Sequence, residues 1–202
     1  RLTMEMLVVR LMFQQELRDA RRNRWFVLFS ATFGVLALAL SYFGLAGLGT
    51  FGITGFGRTA ASLLHLVMLV VPLLGLLLGA MSVAGEREQG TLLTLLAQPV
   101  TPAEVLLGKF LGACAAMALT IALGFGVSGV LIARTAGGTA GGGYLALTAL
   151  AMLLGFASVA VGFVVSVLSP RGATAVGVAL FVWLALILLA DLGLMGTAMV
   201  LR

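Results

Sequence analysis

The sequence is poor in the residues that soluble proteins show to water and that enzymes use for chemistry. Charged residues fill 9% of its 202 positions, against about 25% in a typical soluble domain. A water-facing surface cannot be built from so few, which excludes a soluble enzyme domain, a nucleic-acid reader and a disordered tail together. Cysteine occurs once, at Cys114, so neither a disulfide framework nor a CxxC site can form within the chain. Lysine also occurs once, in Leu107-Gly108-Lys109-Phe110, without the upstream Gly spacing and following Ser or Thr of a phosphate-cradling GxxxxGK[ST] loop. ATP hydrolysis by this chain is therefore not expected. The 26 residues 84–109 are also too few to fold a nucleotide-binding domain, so any energy source has to be a partner. No cleavable signal-peptide pattern is read at the N-terminus.

What the chain has in excess is apolar residues: 61% hydrophobic with a mean hydropathy of +1.19. A helix needs about 20 apolar residues to cross a bilayer core about 30 Å thick. Five charge-free runs meet that length, at roughly 25–45, 62–83, 110–132, 144–168 and 174–190. None alternates with period two, which argues for helices over a transmembrane barrel. The expected fold class is all-α, a polytopic transmembrane helix bundle.

Basic residues orient such a bundle, because short loops rich in them stay in the cytoplasm. With the N-terminus inside, nine basic residues (Arg1, Arg10, Arg18, Arg21, Arg22, Arg24, Arg87, Lys109 and Arg171) are cytoplasmic and three (Arg58, Arg134 and Arg202) are external. The expected layout is an amphipathic helix over 1–24, a transmembrane domain over 25–190 with its first cytoplasmic loop at 84–109, and an external or re-entrant tail over 191–202. In the leading segment Met6, Val9, Phe13, Leu17 and Ala20 recur at helical spacing opposite Arg10, Gln14, Arg18, Arg21 and Arg22. This pattern fits a helix lying in the membrane interface with its arginines near anionic lipid.

The loop 84–109 carries the densest punctuation. Gly90 can end a helix, Thr91 can cap the next, and Pro99 stops that one after two turns. Thr101 with Glu104 forms a capping box, and Pro102 stands at a first helical position. Between these marks a short helix bears Leu92, Leu93, Leu95 and Leu96. Two turns are unstable alone in water, so the leucines must dock on lipid, on the rest of the chain or in a groove of another protein. The flanking Glu86, Arg87 and Glu88 read either as a solvated helix end or as a charge key for a partner.

Elsewhere the chemistry is thin. Gly126-Val127-Ser128-Gly129 matches the GxSG pattern that rhomboid intramembrane proteases place around a serine nucleophile, but a nucleophile needs a base. The only histidine, His65, precedes the serine, and the Asn of the family's HxxxN is replaced by Leu69. His65 reads first as a polar side chain within the bundle and second as a proton-relay or metal group. Asp191 is the acid farthest from the cytoplasmic side, a solvated helix end or a functional group. Gly75 with Gly79 and Gly108 with Gly112 are GxxxG pairs that permit close helix contact. The glycine-rich segments 46–61 and 137–143 read as external connections, and the nine methionines as ordinary apolar filling.

The run from Gly85-Glu86-Arg87-Glu88-Gln89-Gly90-Thr91-Leu92 through Ala97-Gln98-Pro99-Val100 to Gly108-Lys109-Phe110-Leu111-Gly112 resembles, in order and spacing, the signature of bacterial ABC-2 type transporter permeases. Phe56-Gly57-Arg58-Thr59-Ala60-Ala61-Ser62-Leu63-Leu64, Pro72 to Ala80, and Asp191-Leu192-Gly193-Leu194 bring it nearer to the members that serve maturation of nitrous oxide reductase. Gln89 and Thr94 depart from the usual pattern. The resemblance implies a type V exporter-like bundle in the bacterial inner membrane with a sixth span beyond the five read here. It also implies a leading elbow helix and a coupling helix at Gly90, Thr91, Leu92, Leu95, Leu96 and Pro99, with Glu86, Arg87 and Glu88 as a polar collar. The implied partners are a separate ATPase subunit that binds ATP and magnesium, a second copy of the chain, a periplasmic protein and membrane lipid. No cofactor is expected in the chain itself. The implied cargo is a sulfur or copper species. A lipid or drug exporter, an intramembrane serine protease and a membrane scaffold are the alternatives.

Overall fold

In a bilayer every backbone N–H and C=O must find its partner within the chain, and a helix does this segment by segment. The computed structural model describes residues 2–46, 54–90, 101–135 and 141–200, and these form helices throughout apart from short joints. In chain order they are α1 (Leu2–Arg22), α2 (Arg24–Ala46), α3 (Thr54–Glu88), α4 (Pro102–Thr135), α5 (Gly141–Leu168) and α6 (Gly172–Val200). Helices α3 to α6 each contain a stretch long and apolar enough to cross a membrane. The second half of α1 and most of α2, bent by 71° between them, supply a fifth when counted as one.

The five apolar runs fall on α2 to α6, but several helices outlast their runs. Helix α3 begins at Thr54 and α5 at Gly141, so part of each glycine-rich connection is helical. Helix α6 continues without a break past Asp191 to Val200. The hydrocarbon core sets how long an apolar run must be, whereas a helix can go on satisfying its own backbone beyond that depth.

Helix α3 is the axis of the bundle, touching α2, α4, α5 and α6. In its span window 67% of residues are buried inside the protein, against 11% in that of α6, so α6 is the peripheral helix. The main core gathers Phe33, Leu63, Val71, Leu74, Met117, Ile121, Phe125 and Val159, and a smaller one joins Leu76, Ala80 and Ala84 of α3 to Ala175 and Ala179 of α6. Phe33, Phe125 and Tyr144 meet edge to face at 5.7 and 5.8 Å, a geometry that suits the ring quadrupoles.

Both GxxxG pairs find a facing helix. A Cβ on Gly75 would lie 2.8 Å from Ser158 Cβ and 3.0 Å from the Gly155 carbonyl, and one on Gly79 would lie 2.7 Å from the Phe163 nitrogen. The reciprocal Gly162 lies against the backbone at Leu76. Helices α3 and α5 thus touch backbone to backbone. Gly108 and Gly112 seat α4 on α1, where added carbons would meet Met12 Cβ at 2.5 Å and Glu16 Cβ at 2.6 Å.

Candidate functional site

The two ends of the 84–109 loop are built as their residue types dictate. Helix α3 closes at Glu88, followed by a turn in which Gly90 takes φ 73°. That left-handed conformation is the usual exit from a helix, and only glycine adopts it without steric cost. Helix α4 opens with the capping box: the Thr101 N–H donates to Glu104 Oε2 at 2.9 Å, and the Glu104 N–H donates to Thr101 Oγ1 at 3.4 Å. The leucine-bearing segment between them, with Thr91, Leu92, Leu95, Leu96 and Pro99, lies outside the described residues.

Successive residues on a helix point about 100° apart, so the side chains of Glu86, Arg87 and Glu88 leave α3 in different directions. Glu86 turns toward α4, where its Oε1 lies 2.8 Å from Lys109 Nζ. Arg87 and Glu88 turn toward the joint between α5 and α6. The Arg87 guanidinium donates to the carbonyls of Ser169 at 2.5 Å and Val167 at 3.3 Å. Glu88 Oε2 accepts from the Gly172 N–H at 2.9 Å, placing a carboxylate at the start of α6 where unpaired N–H groups and the helix dipole favour one. Ser166 adds a further tie, its Oγ accepting from the N–H groups of Val83 and Ala84 at 3.0 and 2.8 Å. Glu86, Arg87 and Glu88 thus form a divergent set of clamps joining one end of α3 to α4, α5 and α6.

Lys109 is at the centre of the larger clamp. It donates to Glu16 Oε2 of α1 at 2.9 Å as well as to Glu86, and Ser82 Oγ donates to Glu16 Oε1 at 2.9 Å. Lys109 and Glu16 are 3% and 7% exposed, which makes this a buried ion pair with the partly buried Glu86 carboxylate beside it. Burial pushes the Glu16 carboxyl above its ordinary range, against the opposing pull of Lys109 and the Ser82 hydroxyl. Buried charges of this kind persist only when paired and hydrogen-bonded.

In the sequence Lys109 stands as a topology marker at the membrane edge and Glu16 has no evident role; the structure buries both. One signal was present: Glu16 stands three after Phe13 and four before Ala20, on the apolar stripe of α1 and not on its arginine face. The cluster itself joins positions 16, 82, 86 and 109 and has no local signature.

The remaining candidates lie away from these clamps. His65 lines a cavity of about 220 Å³ with Met68, Leu69 and Pro72 of α3, Leu154 of α5 and part of α6 that ends at Ala190. Asp191 is the next residue along α6. Pro72 has no N–H to donate back along α3, and in the same turn the Leu69 carbonyl accepts from Trp183 Nε1 of α6 at 2.8 Å. Ser128 belongs to α4 and His65 to α3. Cys114 is half-buried in α4.

Replacing Arg87 by glutamine removes a charge-assisted donor from the α5–α6 joint. The site is partly exposed, so the expected loss is about 1 kcal/mol. It should appear as faster backbone hydrogen exchange over residues 169–172, with the exchange of α1 unchanged; uniform acceleration across the protein would contradict a local clamp.

The family model described as ABC-2 family transporter protein matches residues 11–202. Two relatives are similar over most of the chain. "Probable ABC transporter permease protein NosY" of Pseudomonas aeruginosa is 35% identical over 194 residues, covering 94% of this chain and 70% of the relative. The protein of the same name from Stutzerimonas stutzeri is 36% identical over 186 residues, covering 90% of this chain and 67% of the relative.

Proposed function

The chain belongs to the ABC-2 family of transporter proteins as a multi-pass permease, and from that premise we propose that it carries a sulfur or copper species across the bacterial inner membrane for assembly of the copper centre of nitrous oxide reductase. The observation that carries this reading is the similarity to the two NosY permeases along nearly the whole chain. ATP is hydrolysed by a separate NosF-like subunit, which holds the nucleotide and magnesium. A second copy of the chain completes the membrane part, and a NosD-like protein receives or delivers cargo on the periplasmic side. The N-terminus is cytoplasmic, as the arginines of α1 favour.

Force enters through the segment 91–100, whose leucines have apolar surface to hide in a groove of the ATPase. Its two anchors, Gly90 and the Thr101–Glu104 capping box, stand at the end of α3 and the start of α4. A displacement at the segment therefore moves the ends of both helices, and the clamps of Glu86, Arg87 and Glu88 pass it to α1, α5 and α6.

The test is a pull-down of the full-length chain from native membranes in mild detergent, with nucleotide turnover measured on the eluate. An ATPase should be recovered with the wild type and lost with Leu95→Asp. The same substitution in a denitrifying cell should leave nitrous oxide reductase without its copper–sulfur absorption band. A chain recovered alone, under conditions that keep a known transporter intact, would overturn the reading. Lipid or drug cargo is the second reading, favoured by the cavity at His65, whose other lining side chains are all apolar; turnover stimulated by such compounds, with the reductase band intact in the variant, would select it.

A further inference from the structure

Helices α1, α2 and α4 enclose a second cavity, of about 570 Å³, within the range of roughly 300–1,000 Å³ typical of ligand sites. It does not touch the clamps around Lys109. Its mouth is formed by the end of α1, where Arg21 lines it, and its walls run along α2 from Phe26 to Gly34 and along α4 from Ala116 to Gly124. Each wall rises about 12 Å at 1.5 Å per residue. That is most of one leaflet, about half of a 30 Å hydrocarbon core.

The interior is suited to hydrocarbon and not to water. Its two hydroxyls, Ser30 and Thr120, bond to each other at 3.2 Å, and Thr120 donates to the Ala116 carbonyl at 3.0 Å, so neither needs a ligand. The floor is opened by Gly34 and Gly124, whose side-chain space is left to the groove and to Phe33. The polar end is the opposite in character. Arg21 is exposed at the rim with Arg22 and Arg24 at the bend and Arg18 one turn before it, and neither ion pair found among the described residues uses any of them.

A groove one leaflet deep, apolar within and cationic at its interfacial mouth, matches one kind of molecule. We propose that it holds an acyl chain of an anionic phospholipid, with the headgroup phosphate on Arg21. The site needs only the bilayer placement of the chain and would stand if the ATPase or cargo reading failed. Its consequence is structural: a lipid seated there fills the angle between α1 and α2 and wedges them apart at the 71° bend.

The probe is the full-length chain in nanodiscs of mixed phosphatidylglycerol and phosphatidylethanolamine, released and weighed by native mass spectrometry. The wild type should retain one phospholipid per chain, with phosphatidylglycerol preferred. Arg21→Gln should cut that preference about fivefold, the weight of one basic residue at an anionic surface, while phosphatidylethanolamine is still retained. Ala31→Phe, which fills the groove from an exposed position, should expel both lipids. Both variants should melt at the wild-type temperature, since both side chains are exposed. The proposal is overturned if retention survives Ala31→Phe, if Arg18→Gln lowers the preference as much as Arg21→Gln, or if inorganic phosphate alone displaces the bound species.

Discussion

Replacing Lys109 by methionine is expected to cost about 3–5 kcal/mol of stability, the penalty for leaving buried charges without their partner. The substitution is one atom shorter but keeps the unbranched stem and most of its packing, so the loss is chiefly electrostatic. Glu16 and Glu86 would face each other in the cleft with no cation between them, and the Ser82 hydroxyl bonds only the first of them. The measurement is thermal unfolding in detergent followed by fluorescence-detected size exclusion, where the variant should shift to the aggregated fraction well below the wild-type midpoint. The informative companion is the triple variant Glu16→Gln, Glu86→Gln, Lys109→Met. Removing all three charges at once should recover most of the lost stability, because neutral replacement of a buried ion cluster is often nearly free. A triple variant no more stable than Lys109→Met would show that packing around the lysine stem, and not its charge, holds the three helices together.

The second large effect belongs to Gly79. Any side chain there meets the backbone of α5 at Val159, Gly162 and Phe163, and backbone cannot turn aside as a flexible side chain can. Gly79→Val should therefore reach the upper end of overpacking costs, about 3 kcal/mol, by forcing α3 and α5 apart. Gly177→Ala on α6 is the control, since an added carbon there meets nothing within 4 Å; its melting temperature should equal or exceed the wild-type value, as alanine is the better helix former. Equal melting of Gly79→Val and Gly177→Ala would remove the close approach as a source of stability.

Much of the architecture could be read from residue order alone, and the parts that could not share one cause. Hydropathy located α2 to α6 because the bilayer demands a length. Gly90, Thr101, Glu104 and Pro102 fixed the end of α3 and the start of α4 because caps and turns are local chemistry, complete within four residues. The GxxxG pairs announced close contact but not with which helix, since small residues state how near a neighbour comes and not its identity. The clamps were illegible for the same reason. Glu86, Arg87 and Glu88 look like one charged patch in sequence, and only the placement of α1, α4 and the α5–α6 joint around α3 separates them. The burial of Lys109 was illegible because a lone lysine beside an apolar run obeys the topology rule equally well whether it meets water or two carboxylates.

The seat of α1 on α4 also sets an order of events during synthesis. Glu16 and its partner Lys109 are 93 residues apart, and the glycines that receive α1, Gly108 and Gly112, emerge with that lysine. At a ribosomal rate of about 5–20 residues per second, α1 waits about 5–20 s before its seat on α4 exists. During that interval Glu16 is without its buried cation. Insertion of α2 and α3 thus proceeds beside an unseated α1, and α1 takes its seat only once α4 arrives, before α5 and α6 complete the bundle.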